Sequence, residues 1–190
     1  MKKSIGAKTY LCPTPALVIG TYDSDDRANL MTVAWGGICC SQPPCVAISI
    51  RKATYTYECV ISRKAFSVNI PSETYVREVD YIGLVSGRDT NKFRDCNLTA
   101  VHSDIIDAPY VAEFQMILEC KLLHTIEIGL HTQFIGEILD IKVDEESLDD
   151  KGRISTESLK PITYSSIDRN YFKIGDNLGR AFSIGKEVTH

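Results

Sequence analysis

Six short runs rich in β-branched and apolar residues, separated by turn-forming residues, dictate a sheet-based fold more strongly than any other feature of this chain. They span residues 16–21, 29–36, 45–51, 64–70, 112–124 and 132–143. Branched side chains suit a pleated, partly buried surface. The polar turn Asp23-Ser24-Asp25-Asp26-Arg27 stops the first run and makes a hairpin of the first two. Residues 45–51 alternate with period two, and Gly136 marks a bulge or bend in the last run. Helical segments are fewer. Residues 54–62 predict one, and residues 72–83 predict another, with Val76, Val79 and Ile82 at helical spacing. A third is expected to start near Thr90 and run through Lys92, Phe93 and Arg94. The acidic, turn-rich residues 144–158 predict a surface excursion before a final extended piece. Strands with two or three short helices imply a mainly β fold, an antiparallel barrel with helical insertions. With no internal repeat or low-complexity linker, the 190 residues predict a single domain over 1–190.

Charge narrows the ligand. A formal net charge of −4 and a pI near 5.6 give no basic face for wrapping nucleic acid. No run approaches the roughly 18 apolar residues of a membrane-spanning helix. Lys8 and Pro13 interrupt the segment after Met1-Lys2-Lys3, so no signal-peptide apolar region develops. A cytoplasmic protein without a membrane partner is expected. The seven cysteines are an odd count, expected to be mostly buried free thiols in a reducing compartment. Cys39-Cys40 followed by Cys45 lacks the CxxC pairing of metal sites. Pro43-Pro44 predicts an extended path there, unsuited to a chelating loop. No metal site is expected.

Two polar segments suit an anion. Arg51-Lys52-Ala53-Thr54-Tyr55-Thr56 comes after a buried run and precedes a helix, supplying charge, hydroxyls and a helix start together. Ser86-Gly87-Arg88 leads toward Lys92, where Gly87 permits close backbone approach and Lys92 adds charge. The order of a nucleotide P-loop is missing, as is any Gly-x-Gly-x-x-Gly after a strand, so no separate dinucleotide site is expected. Asn29 and Thr32 place polar side chains just after the hairpin turn.

Three motifs occur in order. These are PALVIGTYD…NLMTVAW from Pro15 to Trp35, Cys40-Ser41-Gln42-Pro43-Pro44 followed by VAISIRK, and Gly129-Leu130-His131-Thr132 followed by FIGEI. With the carboxy-terminal YFKIGDNLGRAF, they resemble the flavin reductase-like family, and within it the flavoredoxin branch. The resemblance implies a split β-barrel that binds FMN at a homodimer interface. It implies FMN contacts from Asn29, Leu30, Met31, Thr32, Cys40, Ser41 and Tyr171. Arg51, Lys52, Thr54, Thr56, Ser86, Gly87 and Lys92 then fall toward the phosphate. His131 is the candidate for chemistry, although Leu130 stands where the family carries an acidic residue. The function implied is an FMN-binding oxidoreductase fed by an electron donor protein or by NAD(P)H. An NAD(P)H-dependent flavin reductase that releases reduced free flavin stays open beside it, as does a non-catalytic flavin-binding module.

Overall fold

A computed structural model describes residues 1–188, and its strands meet in an order that the chain itself does not follow. The amino-terminal part contributes β1 (Thr14–Pro15), β2 (Leu17–Tyr22), β3 (Ala28–Val33), β4 (Gly36–Ser41) and β5 (Pro44–Arg51). The middle adds α1 (Tyr55–Arg63), β6 (Ala65–Ile70), α2 (Val76–Leu84), α3 (Lys92–Asp95), β7 (Ala100–His102) and β8 (Pro109–Val111). Two long strands come next, β9 (Met116–Ile128) and β10 (His131–Val143), then α4 (Thr156–Leu159), β11 (Ile162–Ser165) and β12 (Asn170–Lys173). The main sheet has seven strands in the order β3-β2-β6-β9-β10-β5-β4, every neighbouring pair antiparallel. It curls until its ends meet, where Ser49 N–H on β5 donates to the Trp35 carbonyl between β3 and β4 at 2.8 Å.

Period two decides what each strand buries. On β5, Val46, Ile48 and Ile50 join Phe66 and Phe134 in the barrel interior, so Cys45, Ala47, Ser49 and Arg51 lie on the outer face. The β2 run alternates between two cores and is buried on both faces. Leu17 and Ile19 enter the barrel, while Ala16 and Val18 pack with Val79, Ile82 and Phe93 of the helical layer. A strand covered on both sides reads as a continuous apolar run. Full burial of a side chain such as Ile19 stabilises by about 1.5–3 kcal/mol. Gly136 sits at a register shift in β10, where an added Cβ would lie 2.6 Å from the Phe66 ring, so glycine lets that ring fill the interior. Among the described residues no helix is long and apolar enough to cross a membrane.

The fold departs from the sequence expectations in four places. Residues 29–36 are not one strand, because the chain turns at Ala34-Trp35 and Gly36 begins the unanticipated edge strand β4. Pro43-Pro44 does not prolong an extended path. Gln42 and Pro43 form a tight turn, with Ser41 and Pro44 paired across it. The strand expected at 112–124 starts later, at Met116, and runs to Ile128, because Glu113 instead caps the Thr99 amide and Phe114 plugs the helical core. The cysteines are less uniformly buried than expected, with Cys12, Cys39 and Cys40 exposed.

Candidate functional site

The outer face of β5 forms the floor of a groove. Arg51 pairs with His131, and Ser49 with Gln133, so all four share this face across the β5–β10 ladder. Trp35, at the corner between β3 and β4, stands where two adjoining cavities meet. One, of about 390 Å³, is lined by Met31, Thr32, Arg51, His131, Arg169 and Tyr171. The other, of about 530 Å³, continues past Trp35 along Gly36, Gly37 and Cys39, with Tyr10 and Leu11 closing its outer side. Both fall in the size range of small-molecule sites.

Distant segments build the walls of the first cavity. The Thr32 hydroxyl donates to the Val79 carbonyl and ties β3 to α2. Gly83 presents no side chain against Thr32, where an added Cβ would lie 3.3 Å from the threonine Cβ. The Tyr171 hydroxyl donates to Asp80 Oδ1 at 3.1 Å, bringing the β11–β12 hairpin onto α2. Burial first, and then the Asp80 charge, push the Tyr171 phenol up to about 12, so it stays neutral. Arg51 and Arg169 both reach this cavity, and neither has an ion-pair partner among the described residues.

A second, polar pocket of about 280 Å³ lies at the other end of β3, beside Asn29 and Gly87. Here the charges are satisfied internally. Asp23 accepts from Tyr55 Oη at 2.6 Å, Arg27 Nε at 2.8 Å and the backbone amides of Asp25 and Arg27. Burial alone would raise the Asp23 carboxyl, but hydrogen bonds from Tyr55, Arg27 and Asp25 outweigh it and hold it below the usual carboxylate range. Arg88 pairs with Glu58 at 3.0 Å and stacks 5.3 Å from the Tyr55 ring centroid. Asn29 donates through Nδ2 to Thr56 Oγ1 at 2.9 Å, while its buried Oδ1 has no partner among the described residues and faces Gly87. A Cβ at Gly87 would collide with that oxygen.

The continuous cradle expected from Arg51 to Thr56 is therefore divided. Arg51 lines the groove, but Lys52 turns away to Glu127 at 2.6 Å. The Thr54 hydroxyl donates back to the Arg51 carbonyl at 2.8 Å, and Thr56 is buried against Asn29. Ser86 Oγ accepts from the Arg88 amide within its own turn. Lys92 is a second correction. It is only 5% exposed, and its Nζ donates to the Leu30 and Ile82 carbonyls, each at 2.7 Å. Burial, without a compensating carboxylate, lowers its ammonium to about 8. Leu30 packs in the helical core, so only its backbone is available near the site. Cys40 and Ser41 lie along β4 toward the hairpin turn, and Cys39, one residue earlier, lines the larger cavity. Sequence reading brought Met31, Thr32, Arg51, His131 and Tyr171 to one cavity and missed Arg169, Tyr164, Asp80 and Gly83. Period two on β5 would have added Ser49. No local pattern signals that the β11–β12 turn folds back over the barrel.

Comparison with known proteins gives consistent matches. Residues 9–174 match the family described as Flavin reductase like domain. The solved structure of flavoredoxin from Desulfovibrio vulgaris (Miyazaki F) is 51% identical, with a TM-score of 0.93 over 97% of this chain and 100% of that one. The flavoredoxin structure from Methanosarcina acetivorans is 28% identical, with a TM-score of 0.92 over the whole of both chains. High molecular weight rubredoxin of Moorella thermoacetica is 30% identical over 68% of this chain, which spans 56% of that longer protein.

Proposed function

This chain belongs to the flavin reductase-like family, and we propose that it is an FMN-binding redox protein of flavoredoxin type whose cofactor lies in the groove over β5. One observation carries the placement: two guanidinium groups without ion-pair partners among the described residues, Arg51 and Arg169, share a cavity with Trp35, Tyr171 and His131. An uncompensated pair of cations beside flat aromatic walls suits a planar anionic ligand, because charge-assisted contacts to phosphate or ring oxygens then complete the site.

FMN, when bound, supplies the electron-transfer chemistry, which the protein orients and shields. Arg51 and Arg169 hold the anionic part. Trp35 and Tyr171 exclude water from the ring, and the neutral Tyr171 phenol adds no competing charge. Thr32, fixed by its bond to Val79, offers its oxygen lone pairs toward the cavity at a set position. The His131 side chain stands beside Arg51 at the mouth, where it can carry a proton between bound flavin and solvent. Leu130 next to it is 64% exposed and apolar where the family carries an acid, which favours a docking redox protein over a nicotinamide as donor. The resemblance to a protein named as a rubredoxin supports electron exchange with a small redox partner. Identification of the cofactor by heat release and chromatography tests the reading, and recovery of FAD or of no flavin overturns it. Anaerobic mixing with NADH or NADPH tests the donor, and rapid bleaching of the flavin overturns the protein-donor assignment.

A homodimer is part of the same reading. Trp35 and Ile38 beside the groove, with Leu123, Ile126 and Ile128 on the outer half of β9, leave apolar side chains exposed around it. Such patches mark association surfaces, and twofold dimers are the commonest closed assembly. Light scattering on the FMN-loaded protein at micromolar concentration checks this, and a mass near 21.2 kDa overturns it. A cytoplasmic location fits the same reading, because free exposed thiols persist in a reducing compartment.

A further inference from the structure

The cysteines of the β4–β5 hairpin take no part in the chemistry above, yet their register is specific. Ser41 pairs with Pro44 across the Gln42-Pro43 turn, and Cys40 pairs with Cys45 immediately behind it. Residues directly opposite each other in an antiparallel ladder hold their Cα atoms about 4.5–5.5 Å apart. That spacing falls inside the roughly 4.4–6.8 Å range of disulfide-bonded residues. The bulge between Ile38 and Cys40 leaves Cys39 without an opposite residue, so it does not share this geometry.

The two thiols also differ in access. Cys40 is exposed, whereas Cys45 is 4% exposed. Burial, then the neighbouring Cys40, Cys39 and Glu137, raise the Cys45 thiol and keep it protonated at neutral pH. An accessible sulfur backed by a second, sheltered one is the arrangement of peroxide-responsive cysteines.

We propose that Cys40 and Cys45 form a redox-active dithiol, which hydrogen peroxide converts to a cross-strand disulfide at the rim of the groove. The Cys40 thiolate attacks one peroxide oxygen, the O–O bond breaks, and the departing oxygen takes a proton and leaves as water. Cys40 now carries a sulfenic acid. The Cys45 sulfur attacks the Cys40 sulfur, the S–O bond breaks, and the leaving hydroxide takes the Cys45 proton as a second water. Two thiols lose two electrons in all, and one peroxide becomes two waters. An external thiol reverses the step by exchange at the exposed Cys40 sulfur. The local supply of peroxide rests on the flavin reading, since a reduced flavin passes two electrons to dioxygen; the dithiol itself rests on the hairpin alone. The bridge ties edge strand β4 to β5 beside Gly37 and Cys39, which line the larger cavity.

The test treats the full-length FMN-loaded protein with hydrogen peroxide, alkylates the remaining thiols and maps the peptides by mass. Alkylatable thiols fall from seven to five, the missing pair is joined through Cys40 and Cys45, and dithiothreitol restores seven. Cys45→Ser leaves a dimedone-reactive sulfenic acid on Cys40, and Cys39→Ser keeps the bridge. Retention of seven alkylatable thiols, a bridge through Cys39, or a Cys40 link between two chains overturns the proposal. Added peroxide acts with or without flavin in the groove, so failure here is distinguishable from failure of the FMN assignment.

Discussion

The groove over β5 and the polar pocket at the start of β3 both contain arginines, but the arginines have opposite surroundings. In the polar pocket Arg27 is paired with Asp23, Arg88 with Glu58 and Arg94 with Asp95. In the groove Arg51 and Arg169 face open space among aromatic side chains. Arginine count therefore says little about where an anion binds. What matters is whether the chain has already supplied the counter-charge. Paired arginines hold elements together, as Asp23 does for the β2–β3 turn and α1, and unpaired ones are left for a ligand.

The sharpest way to break this contrast is to remove a groove arginine. Arg51→Ala is expected to weaken FMN binding by roughly 10- to 150-fold, the loss of a charge-assisted hydrogen bond of about 1.5–3 kcal/mol. Thermal stability of the flavin-free protein should stay unchanged. Flavin fluorescence quenching on titrating apo-protein measures the affinity, and equal affinity would show that the groove arginine carries no ligand charge.

In the polar pocket the opposite is expected, a loss of stability. Gly87→Ala forces a Cβ against Asn29 Oδ1 and to 2.8 Å from the Tyr55 ring. Overpacking of this kind costs about 1–3 kcal/mol. Denaturant unfolding of the flavin-free protein reads this directly, and an unchanged midpoint would mean that the pocket yields freely.

Asp23→Asn should cost a smaller amount, about 1 kcal/mol, since the amide retains part of the hydrogen bonding. The sign with pH comes from the depressed carboxyl. Its contribution is present above the ordinary carboxylate value and is lost as pH falls through the lower folded value. The gap between wild type and Asp23→Asn is therefore expected to close in acid, below about pH 4. A constant gap from pH 3 to 7 would remove the carboxylate from the account.

The remaining test concerns Lys92, which clamps β3 to α2. Its ammonium is lowered to about 8 from an ordinary 10.5, so the unfolded chain binds the extra proton between these values. Stability contributed by this group rises with pH across that window. Tyrosines and cysteines with raised values act in the other direction, so the readout is the difference from Lys92→Met. The wild type should gain stability relative to that variant between pH 8 and 10, and parallel curves would contradict the buried charge.

What the sequence determined by itself is the local alternation. Period two on residues 45–51 put Arg51 on the face opposite Ile48 and Ile50, and the β-branched runs specified strands in nearly the right places. Side-chain direction in a strand is a property of neighbouring residues, so it is readable without knowing the partner strand. The resemblance motifs likewise lie within short stretches. The tertiary structure alone decided the rest. Arg169 and Tyr164 enter the groove because the β11–β12 hairpin packs over α2, a contact between segments about ninety residues apart whose register no local pattern encodes. Lys92 reads in sequence as a charge for a ligand's phosphate and becomes a buried clamp only when two carbonyls, Leu30 and Ile82, converge on it. Cys40 and Cys45 read as scattered thiols until the turn at Gln42-Pro43 sets them opposite each other. Each of these depends on which distant groups satisfy a charge or a hydrogen bond, and that is fixed by packing rather than by the residues on either side.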